Sequence, residues 1–334
     1  MLSIRSRILA ALALTLALAL PAFAAPAPLD GPAGNYEKYL PDAADGVINV
    51  NVRQFLDSEL IKKAGLDKLL TGDESQNTLK ALGLDPLKDI DRVIISNDKA
   101  SNDGYFIVQG KFDPEKLAAA AELAAKDKKE VLKIHKSEYG KVYEITKLDE
   151  LVKVPPQAAG AGVNLKDKSF FGVIADKGNI VVVGTKESAE TVLAKAAGKK
   201  TTKLTNKDLP GLIAKIDPKQ TIAVAIPAPE EKLKSVTGGI TVTKDLKVDV
   251  TLTATDADAA KQLNETITMG LQQAQDIAGI IVLQQKELAP LVDILNGIKH
   301  DAKDSTIGIT TDVKGETLEK LVKAVAEFAK KQGF

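Results

Sequence analysis

Residues 238–272 read GGITVTKDLKVDVTLTATDADAAKQLNETITMGLQ, and two hydrophobic periods meet inside them. Leu246, Val248, Val250, Leu252 and Ala254 alternate with Lys247, Asp249, Thr251 and Thr253, the period-two signal of a half-buried strand. Ile240 and Val242 start a shorter alternation just before, so Lys244-Asp245 is expected at a hairpin tip. At Thr255 the period changes. Leu263, Ile267, Leu271, Ala274, Ala278 and Ile281 then recur at helical spacing and form one stripe. Thr255, with Asp258 following, is the expected N-terminal cap. The unit is strand, tight turn, strand, amphipathic helix.

The same pattern is expected at Ile90–Lys126, Phe170–Ala197 and Ile298–Lys331. The copies share little residue identity and their spacing is irregular, whereas a solenoid needs a fixed period. The chain therefore reads as α+β: antiparallel sheets with amphipathic helices on one face, built from repeated ββα units. From Val47 to His135 the expected order is β-α-β-β-α-β, the split-βαβ arrangement of ferredoxin-like folds.

Residues 1–24 read as a secretory signal. Arg5 and Arg7 give the positive start, Ile8–Leu20 the apolar core, and Ala22-Phe23-Ala24 the small-x-small cleavage site. The apolar run is too short to span ~30 Å of hydrocarbon. Residues 25–45 are rich in Ala, Pro and Gly and are expected to be poorly ordered. An N-terminal α+β domain over 46–153, a Pro/Gly/Ala-rich linker at 154–163 and a C-terminal α+β domain over 164–334 complete the expected layout. No transmembrane segment is expected after cleavage, and the location is periplasmic or secreted.

Charge and composition exclude several function classes. Lys+Arg and Asp+Glu are balanced at 45 each, and the leader carries away two of the cations, so neither nucleic acid nor an anionic membrane is the expected main partner. Only Arg53 and Arg92 follow the leader as arginines, which argues against an arginine-built anion site. There is no cysteine, so thiolate nucleophiles, thiolate metal sites and a lipid-modified cysteine are ruled out. The absence of tryptophan makes a carbohydrate-stacking platform less expected.

The candidates for chemistry are few. Two histidines are present, His135 and His300. His135 alternates away from the apolar Leu132 and Ile134 and is expected on the solvent side; His300 is in phase with Ile298 and reads as a satisfied sheet histidine. Gly184-Thr185-Lys186-Glu187-Ser188 lies where phosphate loops lie, but it lacks the upstream glycine, and Glu187 intrudes; it reads as an ordinary helix start. Asn97-Asp98 and Asn102-Asp103-Gly104 have calcium-loop residue types without the calcium-loop spacing. The densest polar stretch is Gly83-Leu84-Asp85-Pro86-Leu87-Lys88-Asp89-Ile90-Asp91-Arg92. It reads as a structural ion-pair knot around Arg92. Paired carboxylates at Asp85, Asp89 and Asp91 would do acid–base work only at a suitable separation within a pocket.

That stretch, together with Gln109-Gly110-Lys111-Phe112-Asp113 and the segment Lys247–Ala260, resembles secreted bacterial proteins of an uncharacterised domain-of-unknown-function family that carry "GxDPxxDIDRV…GxFD"-like sequences. The resemblance implies export and a shared fold, and no catalytic residues. The expected function is a non-enzymatic envelope protein with a protein partner or a scaffolding role, needing no cofactor and no metal. The alternatives are a carboxylate-dependent hydrolase centred on Asp85, Asp89 and Asp91, and a carrier of an apolar ligand held between a sheet and the Asp256–Leu288 helix.

The leader reading makes a direct prediction. N-terminal sequencing of exported protein starts at Ala25; a product that keeps Met1–Leu20 is anchored instead.

Overall fold

Strand β10 (Leu246–Ala254) has the burial that its alternation dictates. Val250 and Leu252 are buried, Val248 is half-buried, and Lys247 and Asp249 are exposed. The computed structural model of the chain describes residues 36–63, 86–98, 103–127, 131–146, 169–175, 180–228 and 231–331. The expected signal at 1–24, Asp85 and the stretch 154–163 lie outside them.

The described strands are β1 (Ala44–Asn51), β2 (Ile90–Asp98), β3 (Asp103–Gly110), β4 (Leu132–Ser137), β5 (Gly140–Ile145), β6 (Phe170–Ala175), β7 (Ile180–Gly184), β8 (Ile222–Pro227), β9 (Leu233–Val242), β10, β11 (Lys299–Lys303) and β12 (Thr306–Val313). The helices are α1 (Val52–Asp57), α2 (Glu59–Lys63), α3 (Pro86–Asp89), α4 (Pro114–Asp127), α5 (Lys186–Ala196), α6 (Leu209–Ile213), α7 (Ala257–Gln284), α8 (Ala289–Asn296) and α9 (Gly315–Lys331). This is an α+β protein, with antiparallel pairing in the ladders from β2 through β3, β7, β6 and β5 to β4 and from β8 through β9, β10 and β12 to β11.

The chain divides into two compact units. The first takes residues up to Asp45, then Asn49–Leu56, then Gly65–Asn206; the second takes Gly46–Ile48, Asp57–Ala64 and Lys207–Phe334. The division after Asn206 differs from the boundary expected at 154–163. Antiparallel ladders carry β6 and β7 onto β5 and β3, and that pairing places them with the first unit.

In the first unit the strands run β2-β3-β7-β6-β5-β4, with α4 against β4 and α5 against β5, β6 and β7. The ferredoxin-like expectation does not hold here. A split βαβ unit sets β3 between β1 and β2, but β3 lies between β2 and β7, and β4 pairs with β5 at the end of the strand order. The cause is the hydrophobic edge of β3: Phe106–Gln109 takes Ile180–Val183 as its ladder, a pairing between residues distant in sequence. Asp113 caps α4, its Oδ1 accepting from the backbone N–H groups of Glu115 (3.1 Å) and Lys116 (3.0 Å).

A second correction concerns the residues expected to be poorly ordered. Tyr36–Tyr39 forms a 3₁₀ turn, and Tyr36, Tyr39 and Leu40 are among the most deeply buried side chains of the protein. The three-residue repeat of a 3₁₀ turn puts Tyr36 and Tyr39 on one side, and together with Leu40 just after it they supply enough apolar area to order a short segment.

In the second unit the order is β8-β9-β10-β12-β11, with α7 packed on β10, β11 and β12 and against α8. Val250 faces Gly238 on β9 and Ile309 on β12. Gly238 has φ +117°, and a Cβ there would sit 2.1 Å from the carbonyl oxygen of Asp249, so no other residue fits. The helix cap is Asp256, one residue beyond the expected Thr255: its Oδ1 accepts from Ala259 N–H at 2.7 Å. Helix α7 ends at Gln284, short of the Leu288 end that the pattern suggests, and a 3₁₀ turn at Lys286–Leu288 then leads into α8. On its sheet side Ala259, Ala260 and Ala278 are buried, while Leu263, Ile267 and Leu271 are half-buried.

Val250→Asp places an unpaired carboxylate in this core and is expected to cost about 4 kcal/mol or more. Asp249→Lys, on the wet face, leaves the urea midpoint near wild type. Denaturant titration of the two variants checks the register: the reverse order of stabilities contradicts it.

Candidate functional site

The acidic stretch singled out by sequence is a tether. Asp91 Oδ1 accepts from Arg53 Nε at 2.9 Å, and a terminal guanidinium nitrogen of Arg53 donates to the carbonyl oxygen of Lys88. The Arg53 side chain is 8% exposed and that of Asp91 17%. The knot expected around Arg92 is therefore made by Arg53, which α1 delivers from far earlier in the chain. A planar guanidinium with several donors can serve a carboxylate and a carbonyl together. Asp89 is half-buried at the end of α3, its carbonyl oxygen accepting from Lys111 N–H at 2.8 Å. Arg92 lies near Tyr36: burial lowers its pKa, while the charges of Tyr36 and Asp91 oppose that. Burial, with Glu37 beside it, pushes the Tyr36 phenol up to about 12 against a smaller opposing effect of Arg92.

Both histidines have partners. His135 Nε2 lies 2.7 Å from Glu144 Oε2 and is only half exposed, more enclosed than its strand phase suggests. Burial works to raise the Glu144 carboxyl, but hydrogen bonds from His135 and Ser169 outweigh it and hold the group below the usual carboxylate range. Ser169 and His135 thus both reach the carboxylate and are not arranged as nucleophile and base. His300 Nδ1 meets Asn264 Oδ1 at 2.8 Å, linking β11 to α7. Among the described residues, no group of three or more His, Asp or Glu is placed to hold a metal ion.

The structure assembles a hollow that sequence reasoning missed. It has a volume of about 800 Å³ and lies within the first unit, between α5 and the segment Tyr39–Ala43. Tyr39, Leu40, Tyr105 and Val192, each 2% exposed or less, form its deep wall. Thr185, Ser188 and Thr191 line the helix side, and Lys199, Lys200 and Lys203 stand at the open end.

Lys195 holds this hollow together. Its side chain is 3% exposed, and its ammonium group donates to the Leu40 carbonyl oxygen at 2.8 Å and to Asp42 Oδ1 at 3.0 Å. α5 turns Ala194 and Lys195 inward with Ala189, Val192 and Leu193 and leaves Ala196 exposed. Further bonds fasten the segment. Tyr105 OH donates to Tyr39 O at 2.5 Å, Thr202 Oγ1 to Lys38 O, and Thr205 N–H to Asp42 O at 2.8 Å. Thr185 caps α5, its Oγ1 accepting from Ser188 N–H at 3.2 Å, so the strand–helix junction is a capped helix start. At the far end Gly198, with φ +70°, turns the chain, and Lys199 N–H bonds back to Ala194 O at 2.9 Å. The available signal was YEKYL at 36–40, two tyrosines and a leucine at helical spacing.

The second notable surface is on α7. Met269 (65% exposed), Ile277 (52%), Ile280 (59%) and Leu283 (81%) lie on the side away from the sheet. At 100° per residue they fall within about 120° of arc. A helix of 28 residues is about 42 Å long, whereas a nine-residue strand reaches about 30 Å, so its final turns outrun β10. Helix α8 has no buried residue, although Leu291, Val292, Ile294 and Leu295 are all apolar. None of the described helices is long and apolar enough to cross a membrane.

No family model matches the chain, and no curated protein matches it. Among solved structures, crystal form I of TP0453, a Treponema envelope protein, has a TM-score of 0.46 and 10% identity, covering 87% of this chain and 97% of that one. Crystal form III of the same protein gives 0.44 and 10%, covering 85% and 96%. Similarity at this level says nothing about activity.

The tether reading of Asp91 is tested by Arg53→Met. Removing the guanidinium strands a largely buried carboxylate and is expected to cost about 3 kcal/mol, with Asp91→Asn milder. Urea denaturation of both variants measures this; a midpoint unchanged in Arg53→Met means that the pair is not structural.

Proposed function

We propose that this is a non-enzymatic, exported envelope protein that binds a protein partner through the outer face of α7. The observation that carries the reading is the exposure of Met269, Ile277, Ile280 and Leu283 on one side of one helix. Isolated exposed apolar residues are ordinary, but Ile277, Ile280 and Leu283 recur every three residues as one exposed cluster near the C-terminal end of α7, with Gln273 and Asp276 separating them from Met269, and a clustered apolar patch marks an interaction surface. A protein groove or helix face takes such a patch by inserting its own apolar side chains between the turns. Export rests on the leader at Met1–Ala24 and on the resemblance of Gly83–Arg92 to secreted bacterial proteins. The chain contains four hairpins each followed by a helix, β2-β3-α4, β6-β7-α5, β9-β10-α7 and β11-β12-α9. A common ββα ancestor for these is part of the same reading.

A hydrolase centred on Asp85, Asp89 and Asp91 is disfavoured by the commitment of Asp91 to Arg53. A carboxylate already serving a buried guanidinium is poorly available to move protons.

The test is an in-envelope cross-linking comparison of wild type with Ile280→Glu/Leu283→Glu. Both positions are exposed, so the melting temperature is expected to hold. The cross-linked species seen with wild type disappears in the double variant. An unchanged cross-linking pattern moves the docking surface elsewhere.

A further inference from the structure

The charges beside Ile277, Ile280 and Leu283 are of one sign, and they narrow what can cover that cluster. From Gln262 to Gln285 the chain carries two charged residues, Glu265 and Asp276, and neither lysine nor arginine. Both carboxylates are exposed. They lie about three turns apart, ~16 Å along the axis, and so on the same side of the helix. Asp276 stands one turn before Ile280 and two before Leu283, and Glu265 stands one turn before Met269. Each carboxylate is therefore side by side with an exposed apolar group. Asp276 Oδ1 accepts from Gln272 Nε2 at 2.9 Å, a neutral donor that leaves the charge in place. The ion pairs along the sheet edge of this unit belong to Lys247 and Lys314, and neither Glu265 nor Asp276 makes one among the described residues.

The neighbourhood supplies little neutralising charge. Lys261 and Lys286 stand beyond the two ends of this stretch. Helix α8, which packs beside α7, adds one charge of the same sign, the exposed Asp293. Exposed Gln272, Gln273 and Gln284 offer neutral hydrogen-bonding groups around the cluster.

This pattern separates the possible occupants. A second copy docking about a two-fold axis sets the patch against itself. Carboxylates would then face carboxylates, with no cation on the patch to offset them. An anionic lipid surface attracts helices that carry lysine or arginine beside their apolar residues, and α7 has the opposite charge there. A helix with an apolar stripe flanked by cations satisfies both features. Its stripe covers Ile277, Ile280 and Leu283, and cations about three turns apart on it reach Glu265 and Asp276.

We infer that the partner docks on α7 through a cationic amphipathic helix, an inference that rests on the docking role given above to this face and adds the chemistry of what it takes. The apolar cluster holds the partner. The carboxylates select it, because like charges brought together at the rim reject an acidic helix.

The probes are two labelled peptides of about 18 residues, or about five turns. Both carry leucine at i, i+3, i+4 and i+7 spacing; one has lysine at the remaining positions and the other glutamate. Fluorescence anisotropy follows their binding to the full mature chain. The Leu/Lys peptide is expected to bind saturably, with the Leu/Glu peptide weaker by at least about tenfold. Ile280→Ser/Leu283→Ser weakens the Leu/Lys peptide by about tenfold or more. Glu265→Lys/Asp276→Lys changes two exposed residues, keeps the melting temperature and reverses the preference in favour of the Leu/Glu peptide. No saturable binding of the Leu/Lys peptide, full affinity in the serine variant, or an unchanged preference in the lysine variant each overturns the inference. Equal affinities for the two peptides, lost together in the serine variant, overturn it while leaving α7 as the docking surface. A wild-type dimer in sedimentation that the serine variant lacks, or wild-type binding to phosphatidylglycerol vesicles that the serine variant loses, gives the face to a second copy or to lipid and overturns it as well.

Discussion

An ammonium group removed from water has to be given acceptors, and in the first unit Lys195 finds them in Leu40 and Asp42. That requirement ties a segment near the start of the described chain to a helix far along it. The segment is then fixed at several points, with Thr202, Thr205 and Tyr105 bonding to the backbone of Lys38, Asp42 and Tyr39. Tyr36, Tyr39 and Leu40 can then bury their whole side chains. The hollow follows from this arrangement, since the segment is held to α5 by polar contacts at its ends and leaves space over Thr185, Ser188 and Thr191.

The second unit shows a related device with the charges reversed. Asp245, in the turn between β9 and β10, accepts from Gly315 N–H at 3.0 Å and from Lys314 Nζ at 3.3 Å. The Gly315 hydrogen bond lowers the Asp245 pKa most; burial opposes it, and Lys314 adds to the lowering. A turn that carries little apolar surface is in this way locked to the start of α9. Nearby, Leu60 N–H donates to Thr243 O at 2.9 Å. Polar ties of this kind fix where hairpin ends go, while alternation along β10 fixes which face is buried.

Against these well-satisfied regions, α7 stands out by carrying more apolar surface than its sheet covers. Alanines take the tightest positions, at Ala259, Ala260 and Ala278, and the larger inward residues remain half-buried. Met269, Ile277, Ile280 and Leu283 on its outer side are each more than half exposed. The hollow and the α7 face therefore have different characters, one a charged rim over a closed apolar wall and the other an open apolar patch.

Sequence alone determined the alternation of β10 and the hairpin tip at Lys244-Asp245, because each depends on residues within a few positions of one another. It also read Gly184–Ser188 as an ordinary helix start, and Thr185 caps α5 there. Tertiary structure decided the rest. The pairing of β3 with β7, which replaces the ferredoxin-like order, rests on edge complementarity between distant segments of similar composition. The partner of Asp91 is Arg53 and not the adjacent Arg92, since a side chain reaches whatever the fold brings beside it. The hollow was illegible for the same reason: YEKYL reads locally as a short amphipathic fragment in a loop-like stretch, and its burial depends on a lysine that local pattern places on a wet helix face. Local periodicity fixes which side of an element is apolar; only the packed chain fixes what that side meets and which charges become partners.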